Sequence, residues 1–252
     1  MNSMELDFFF LICVIPAITL YGIAKSGLGG SMSLISIPLM TLVMPLSQAL
    51  AIILPILILS DVVAVYKFRK QFDIDTVKLM VTGGSIGVII GSLTYTYFSE
   101  TAIKALIGLM GFCFTTHYFI FKRKKNIPLK KSILKGGVSS LVAGFASFCA
   151  HAGGTPTSIY LLPLRLKKEI YVGTRVIFFM FLNLVKLPFY IHLSFLNTKS
   201  LIQSALFFPA SLFGIFLGYQ ILKRVEEGLF YNIVYLLILI SSTRLIFEYF
   251  SS

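Results

Sequence analysis

Ten apolar stretches run along the chain: about 8–24, 28–45, 47–66, 76–98, 101–121, 136–152, 153–164, 171–193, 199–222 and 227–249. Most approach the ~20 residues that a helix needs to cross a bilayer, and no part of the chain fits a soluble domain. The pattern predicts an all-α polytopic membrane protein. The stretch 153–164 is an exception: as a helix it rises only ~18 Å against a hydrocarbon core of ~30 Å, so it reads as a half-helix. Two polar, glycine-rich breaks interrupt the pattern, Ser26-Gly27-Leu28-Gly29-Gly30-Ser31 and His151-Ala152-Gly153-Gly154-Thr155-Pro156-Thr157. Backbone polar groups in a membrane have no water to turn to. A helix is therefore broken at bilayer depth only where protein or a solvated cavity receives the freed groups.

The two breaks belong to a wider internal similarity. Gly87, Gly91 and Glu100 recur as Gly214, Gly218 and Glu227, Gly29-Gly30 as Gly153-Gly154, and Pro38 as Pro163, at nearly constant spacing. This divides the chain into an N-terminal repeat, 1–121, a basic linker, 122–131, and a C-terminal repeat, 132–252, forming one integrated unit. Each repeat makes an odd number of crossings, which inverts one relative to the other. The expected architecture is two inverted-topology repeats with about eight spanning helices plus broken or re-entrant Gly-rich elbows. Whether each elbow is a re-entrant pair or part of two spans stays open at this level.

Charge orients the segments. Most of the 22 basic residues lie in four loops, at 67–70, 122–135, 165–168 and 223–224. They fall on alternate connections, as one cytoplasmic face requires. The formal net charge of +12 is thereby explained without nucleic acid. Glu5 and Asp7, with no basic residue before them, are the wrong start for a cleaved signal peptide, so the first helix should be retained. Cys13, Cys113 and Cys149 stand singly and read as core cysteines rather than as a disulfide framework or a redox pair.

Inversion gives the breaks a chemical meaning. Approaching the midplane from opposite sides, each break places a half-helix N-terminus after its glycines, where unpaired N–H groups and the positive end of the dipole converge on an anion. The candidate substrate residues are Gly27, Gly29, Gly30 and Ser31 in one elbow and His151, Gly153, Gly154 and Thr155 in the other. Close helix packing is the alternative use of the glycines, as it is for the Gly83, Gly87, Gly91 row and its copy Gly214, Gly218. Among ionisable groups inside spans, Lys186 would attract the anion and Asn183 would bond its oxygens. Asp61 or His151 would carry a coupling proton. The alternatives are snorkelling for Lys186 and an ion pair with Lys67 or Arg69 for Asp61. Counted from the span ends in straight helices, Asp61 and Lys186 lie ~12 Å apart in depth and should act separately, on opposite approaches. Arg175, one turn into its span, reads as a partner for lipid headgroups, and His117 and His192 as interfacial. No cofactor and no metal site is expected.

The motifs Gly27-Leu28-Gly29-Gly30-Ser31, Ile37-Pro38-Leu39 and Ala51-Ile52-Ile53-Leu54-Pro55 resemble the sulfite exporter TauE/SafE family of bacterial membrane permeases. Ala150-His151-Ala152-Gly153-Gly154, Tyr160-Leu161-Leu162-Pro163, Gly173-Thr174 and Asn183-Leu184-Val185-Lys186-Leu187-Pro188 resemble one subgroup of it. Ser31 and Thr155 stand where a third glycine is common. The resemblance implies an inner-membrane secondary transporter, an exporter of sulfite or a related organosulfur anion, embedded in lipid and compatible with a homo-oligomer. A passive anion channel is the main alternative. An intramembrane enzyme lacks any HExxH, GxSxG or Walker lysine motif, and an assembly factor lacks a soluble interaction domain.

Overall fold

The structure, a computed structural model, describes residues 8–26, 33–97, 99–121 and 128–251. Among the described residues ten α-helices follow one another: α1 Phe8–Ser26, α2 Ser33–Thr41, α3 Leu46–Phe68, α4 Ile74–Thr94, α5 Glu100–Phe121, α6 Ile133–Ala150, α7 Gly154–Leu161, α8 Lys168–His192, α9 Thr198–Arg224 and α10 Glu227–Ser251. Each of the ten apolar stretches thus becomes one helix. Among the described residues six helices, α1, α3, α4, α6, α8 and α9, are long and apolar enough to cross a bilayer. With eight residues α7 rises only ~12 Å, too little to span, and the described α2, with nine, rises ~13 Å. Within the stretch 28–45 the helix ends at Thr41, where the chain turns.

The polarity of the fold is that of a membrane protein. Large apolar side chains such as Ile12, Val62, Leu93, Phe213 and Phe216 are exposed, while Asp61, Lys186, Asn183 and Arg175 are buried. Lipid gives apolar surface little reason to leave it, so helices here associate through close packing and interior polar contacts. Glycine supplies the closeness. A Cβ on Gly144 would lie 1.9 Å from the Gly84 carbonyl oxygen and one on Gly87 2.0 Å from that of Leu141, so α4 and α6 touch backbone to backbone. On the other side of the bundle, a Cβ on Gly22 would lie 2.3 Å from the Ser211 carbonyl oxygen and one on Gly214 2.2 Å from that of Thr19, joining α1 to α9. The GxxxG rows thus pack helices within one protomer. Helix α5 lies along α10, with Tyr118 stacked on Tyr235 at 3.5 Å between ring centroids. The long helices α3 and α8 meet at the centre. Cys13 and Cys149 are buried as expected, whereas Cys113 is exposed on the outside of α5.

At the basic face α4 starts on Asp73, whose carboxylate caps the Thr76 amide at 2.9 Å and accepts from Lys131 at 2.6 Å. Burial alone would raise this carboxyl. The Lys131 ammonium and the capped amide together outweigh burial and hold it below the usual carboxylate range. The Asp73 amide donates to Thr174 Oγ1 at 2.9 Å, and Gly173 backs onto the Gln71 carbonyl, which ties the start of α8 to the start of α4. Cysteines placed near Lys130 and Lys168 should react with a membrane-impermeant thiol reagent only from the cytoplasmic side, and ones near Ser99 and Asn197 only from outside. Labelling of Lys130 and Asn197 positions from one side would contradict the orientation.

Candidate functional site

The C-terminal elbow is built by a helix that stops, turns and restarts. Helix α6 ends at Ala150, and His151 takes the left-handed conformation at φ 49°. Its amide donates to the Ser147 carbonyl at 3.1 Å, the bond of an αL helix ending, and that of Ala152 donates to the Ala146 carbonyl at 3.1 Å. A non-glycine residue in this region costs roughly 1–2 kcal/mol, so the side chain at this corner has a reason to be there. The two glycines that follow have different tasks. A Cβ on Gly153 would sit 2.5 Å from the Ala143 carbonyl, so Gly153 lets the chain fold back on α6. Gly154 opens α7 and lines a cavity. The first intrahelical bond of α7 is made by Thr157, to Gly153, so the amides of Gly154 and Thr155 have no acceptor within the helix.

Helix α8 presents one stripe to this elbow, with Tyr171, Arg175, Phe179, Asn183, Lys186 and Tyr190 at i, i+3 and i+4 spacing. Arg175 is 4% exposed, and its Nη1 donates to Ser158 Oγ at 2.5 Å, Tyr171 Oη at 3.0 Å and the Gly154 carbonyl at 3.3 Å. Its Nη2 is buried without a protein partner. Lys186, fully buried, donates to the Ser147 carbonyl at 3.2 Å, to Ser147 Oγ at 3.1 Å and to His151 Nδ1 at 3.0 Å. An ammonium has only donors, so Nδ1 accepts and the proton of a neutral His151 lies on Nε2, 3.5 Å from the Leu50 carbonyl. Asn183 donates to Asp61 Oδ2 at 2.7 Å, and Lys25 of α1 pairs with Asp61 Oδ1 at 2.5 Å. Lys25 also donates to the Leu57 carbonyl, one turn earlier on α3, at 3.2 Å.

Several of these groups line a cavity of about 60 Å³, with Tyr21, Lys25, His151, Gly154, Arg175 and Asn183 in its wall, and Lys186 and Asp61 stand behind them, bonded to His151 and to Lys25 and Asn183. A buried water needs ~10–15 Å³ by this measure, so the space holds several waters or one small oxyanion. Among the described residues, neither Arg175 nor Lys186 has a carboxylate within ion-pair distance. A second, wider cavity of about 280 Å³ opens at the starts of α3 and α9, on the face opposite the basic loops, lined by Gln48, Asn197, Lys199 and Gln203 among others. From there a polar seam follows the α3–α9 contact: Gln48 to Gln203 at 3.4 Å, Ser204 to the Ile52 carbonyl at 2.7 Å, and Ser60 to Ser211 at 2.7 Å, next to Asp61.

His151, Gly154, Asn183, Lys186 and Asp61 are brought together, and Thr155 is buried beside them with its hydroxyl unpartnered. Gly27, Gly29, Gly30 and Ser31 lie outside the described residues, as do the side chains of Pro38 and His117. Two alternatives and two expectations are corrected. Lys186 does not snorkel, since it is fully buried. Asp61 pairs with Lys25 rather than Lys67 or Arg69, which instead lie over the rings of Tyr219 and Tyr66. Arg175 does not face lipid. Asp61 and Lys186 are not on opposite approaches: Asn183, three residues before Lys186, bonds Asp61, because α3 and α8 meet near their middles, which a count of residues from untilted span ends cannot register. Lys25 and Arg175 were missed as site residues. Their signals were present, a lysine immediately before the first glycine break and an arginine on the same α8 stripe as Asn183 and Lys186.

A scan against protein families matches residues 14–245 to one described as sulfite exporter TauE/SafE. Comparison with curated proteins and with solved structures gives no match.

Proposed function

Because the chain belongs to the sulfite exporter TauE/SafE family, whose members are membrane transporters of sulfite and related anions, we propose that it exports a small anion, sulfite or an organosulfonate, by alternating access across the bacterial inner membrane. The observation that carries this reading is the buried positive charge around the 60 Å³ cavity. Arg175 and Lys186 are held by neutral oxygens and a ring nitrogen, and the buried carboxylate present, Asp61, is already taken by Lys25. An uncompensated buried ion costs several kcal/mol, and an anion in the cavity removes that cost. Arg175 Nη2 and the amides of Gly154 and Thr155 supply the donors that bind its oxygens.

The repeat architecture is part of the proposal. Pairing α1 with α6, α2 with α7, α3 with α8, α4 with α9 and α5 with α10 turns the glycine-packed α1–α9 contact into the glycine-packed α6–α4 contact. It maps α3–α8 and α5–α10 onto themselves, as a two-fold axis requires. This supports repeats at 1–121 and 132–252 joined by 122–131, inverted, with eight spanning helices and two short elbow helices.

Proteoliposomes loaded with sulfite and a panel of sulfonates and carboxylates test the reading. Flux should saturate with concentration and show counterflow, and Gly154→Val should lower it at least about tenfold while the protein still inserts, since a branched side chain blocks approach to the backbone. Flux that does not saturate would make the protein a channel. Unchanged flux in a folded Gly154→Val protein would reduce the elbow to a packing device.

A further inference from the structure

An anion site has no evident use for a carboxylate, yet Asp61 is fully buried beside the cavity and is the one buried acid among the described residues. A structural tie between α1 and α3 would not need it, because apolar residues of similar volume replace a buried ion pair at no loss of stability, or with a gain. The surroundings of Asp61 suit a group that changes its protonation state. Lys25 is held twice, by the carboxylate at 2.5 Å and by the Leu57 carbonyl at 3.2 Å, so its ammonium stays at the cavity when the carboxylate lets go. Asn183 donates its amide N–H₂ to Oδ2 at 2.7 Å while its own Oδ1, buried, has no partner. An amide turned over presents that oxygen instead, so Asn183 can accept from a protonated Asp61 as readily as it now donates to the charged one. Among the described residues the other helices bring no competing buried acid. Helix α8 adds Lys186 one turn beyond Asn183, the elbow adds His151 bonded to Lys186, α9 adds Ser211 against Ser60, and α1 adds the Tyr21 hydroxyl at the cavity wall.

We infer that Asp61 is the proton site of the transporter and Lys25 the partner it exchanges: when Asp61 takes up a proton it releases Lys25 to the anion, so proton and anion occupy the site together. The balance is simple. One proton bonds to an Asp61 oxygen, Lys25 remains an ammonium, its ion pair passes from Asp61 to the ligand, and for a monoanion the two added charges cancel. With no proton, the Asp61 carboxylate both repels the anion and retains Lys25. The coupling fixes which species move together, and the gradients fix the direction. An outward anion gradient carries acid out with it. The inference rests on the anion-site reading above and adds the identity of the proton carrier.

Purified wild-type protein in weakly buffered alkaline solution with a pH indicator, titrated with sulfite and separately with methanesulfonate, should take up about one proton per anion bound. Binding without proton uptake overturns the inference and leaves the anion site standing. No binding and no flux of either anion removes the anion site itself. In proteoliposomes, Asp61→Asn should keep anion–anion exchange but lose the acceleration that an imposed pH gradient gives the wild type, and acceleration equal to wild type would overturn the assignment. Lys25→Gln should weaken anion binding at least about tenfold at every pH. Should Asp61→Asn fail to fold, the wild-type proton count decides.

Discussion

Replacing Arg175 by glutamine should lower sulfite flux by about a hundredfold or more in protein that remains folded. The magnitude follows from what the guanidinium does. Its Nη1 holds the start of α7 through Ser158 and the Gly154 carbonyl and also bonds Tyr171 on its own helix, and its Nη2 is left over. Hydrogen bonds to charged groups contribute ~1.5–3 kcal/mol each. Losing one to the anion and loosening the elbow that supplies the neighbouring amides comes to roughly 3 kcal/mol, about two decades in a binding constant. Arg175→Lys should recover only part of the loss, because a single ammonium cannot grip the elbow and the ligand at once as a planar fork does. Initial flux rates, read beside gel-filtration profiles and thermal melts, separate this from misfolding. Flux within threefold of wild type in Arg175→Gln would exclude the arginine from the site.

The second large effect concerns stability. Gly144→Ala should destabilise the protein severely, because the new Cβ would stand 1.9 Å from the Gly84 carbonyl oxygen and backbone cannot step aside as a side-chain tip can. The helices must separate, breaking the contact along α4 and α6. Overpacking typically costs ~1–3 kcal/mol, and a chain of this size loses about 2–4 °C of melting temperature per kcal/mol, which gives a fall of roughly 5–10 °C. Gly137, seven residues earlier on α6, is the control: a Cβ there meets nothing within 4 Å, so Gly137→Ala should be neutral or slightly stabilising. Equal melting temperatures for the two variants would refute the backbone-contact account.

Hydropathy was enough to place all ten helices, and the short stretch from Gly153 to Leu164 already declared itself a half-helix. The other elbow helix was less visible, since nothing in the composition of 28–45 announces that the chain turns after Thr41. The central cluster was half legible. Lys186, Asn183, Asp61 and His151 stood out because charge and amide are rare inside apolar runs. Their partnerships did not. Asp61 lies 36 residues from Lys25 and 122 from Asn183 in sequence, and depth counted along straight helices has no knowledge of where two helices meet. Arg175 was misplaced for a related reason. A basic residue one turn inside a span is normally within reach of the interface, but the short α7 packs beside it and seals it from lipid.

The close contact between α1 and α9 also bears on how the chain is made. Ser26 donates to the Ile215 carbonyl across a separation of 189 residues, and Gly22 has its partner surface on Ser211 and Gly214. At ~5–20 residues per second of synthesis, the first helix waits about 10–40 s for the surface it must grip. During that interval its glycine face has lipid or a chaperone for company. A stalled ribosome, or a chain truncated before α9, leaves an N-terminal portion that has entered the bilayer without its closing partner, and quality-control proteases should recognise that portion while sparing the completed protein.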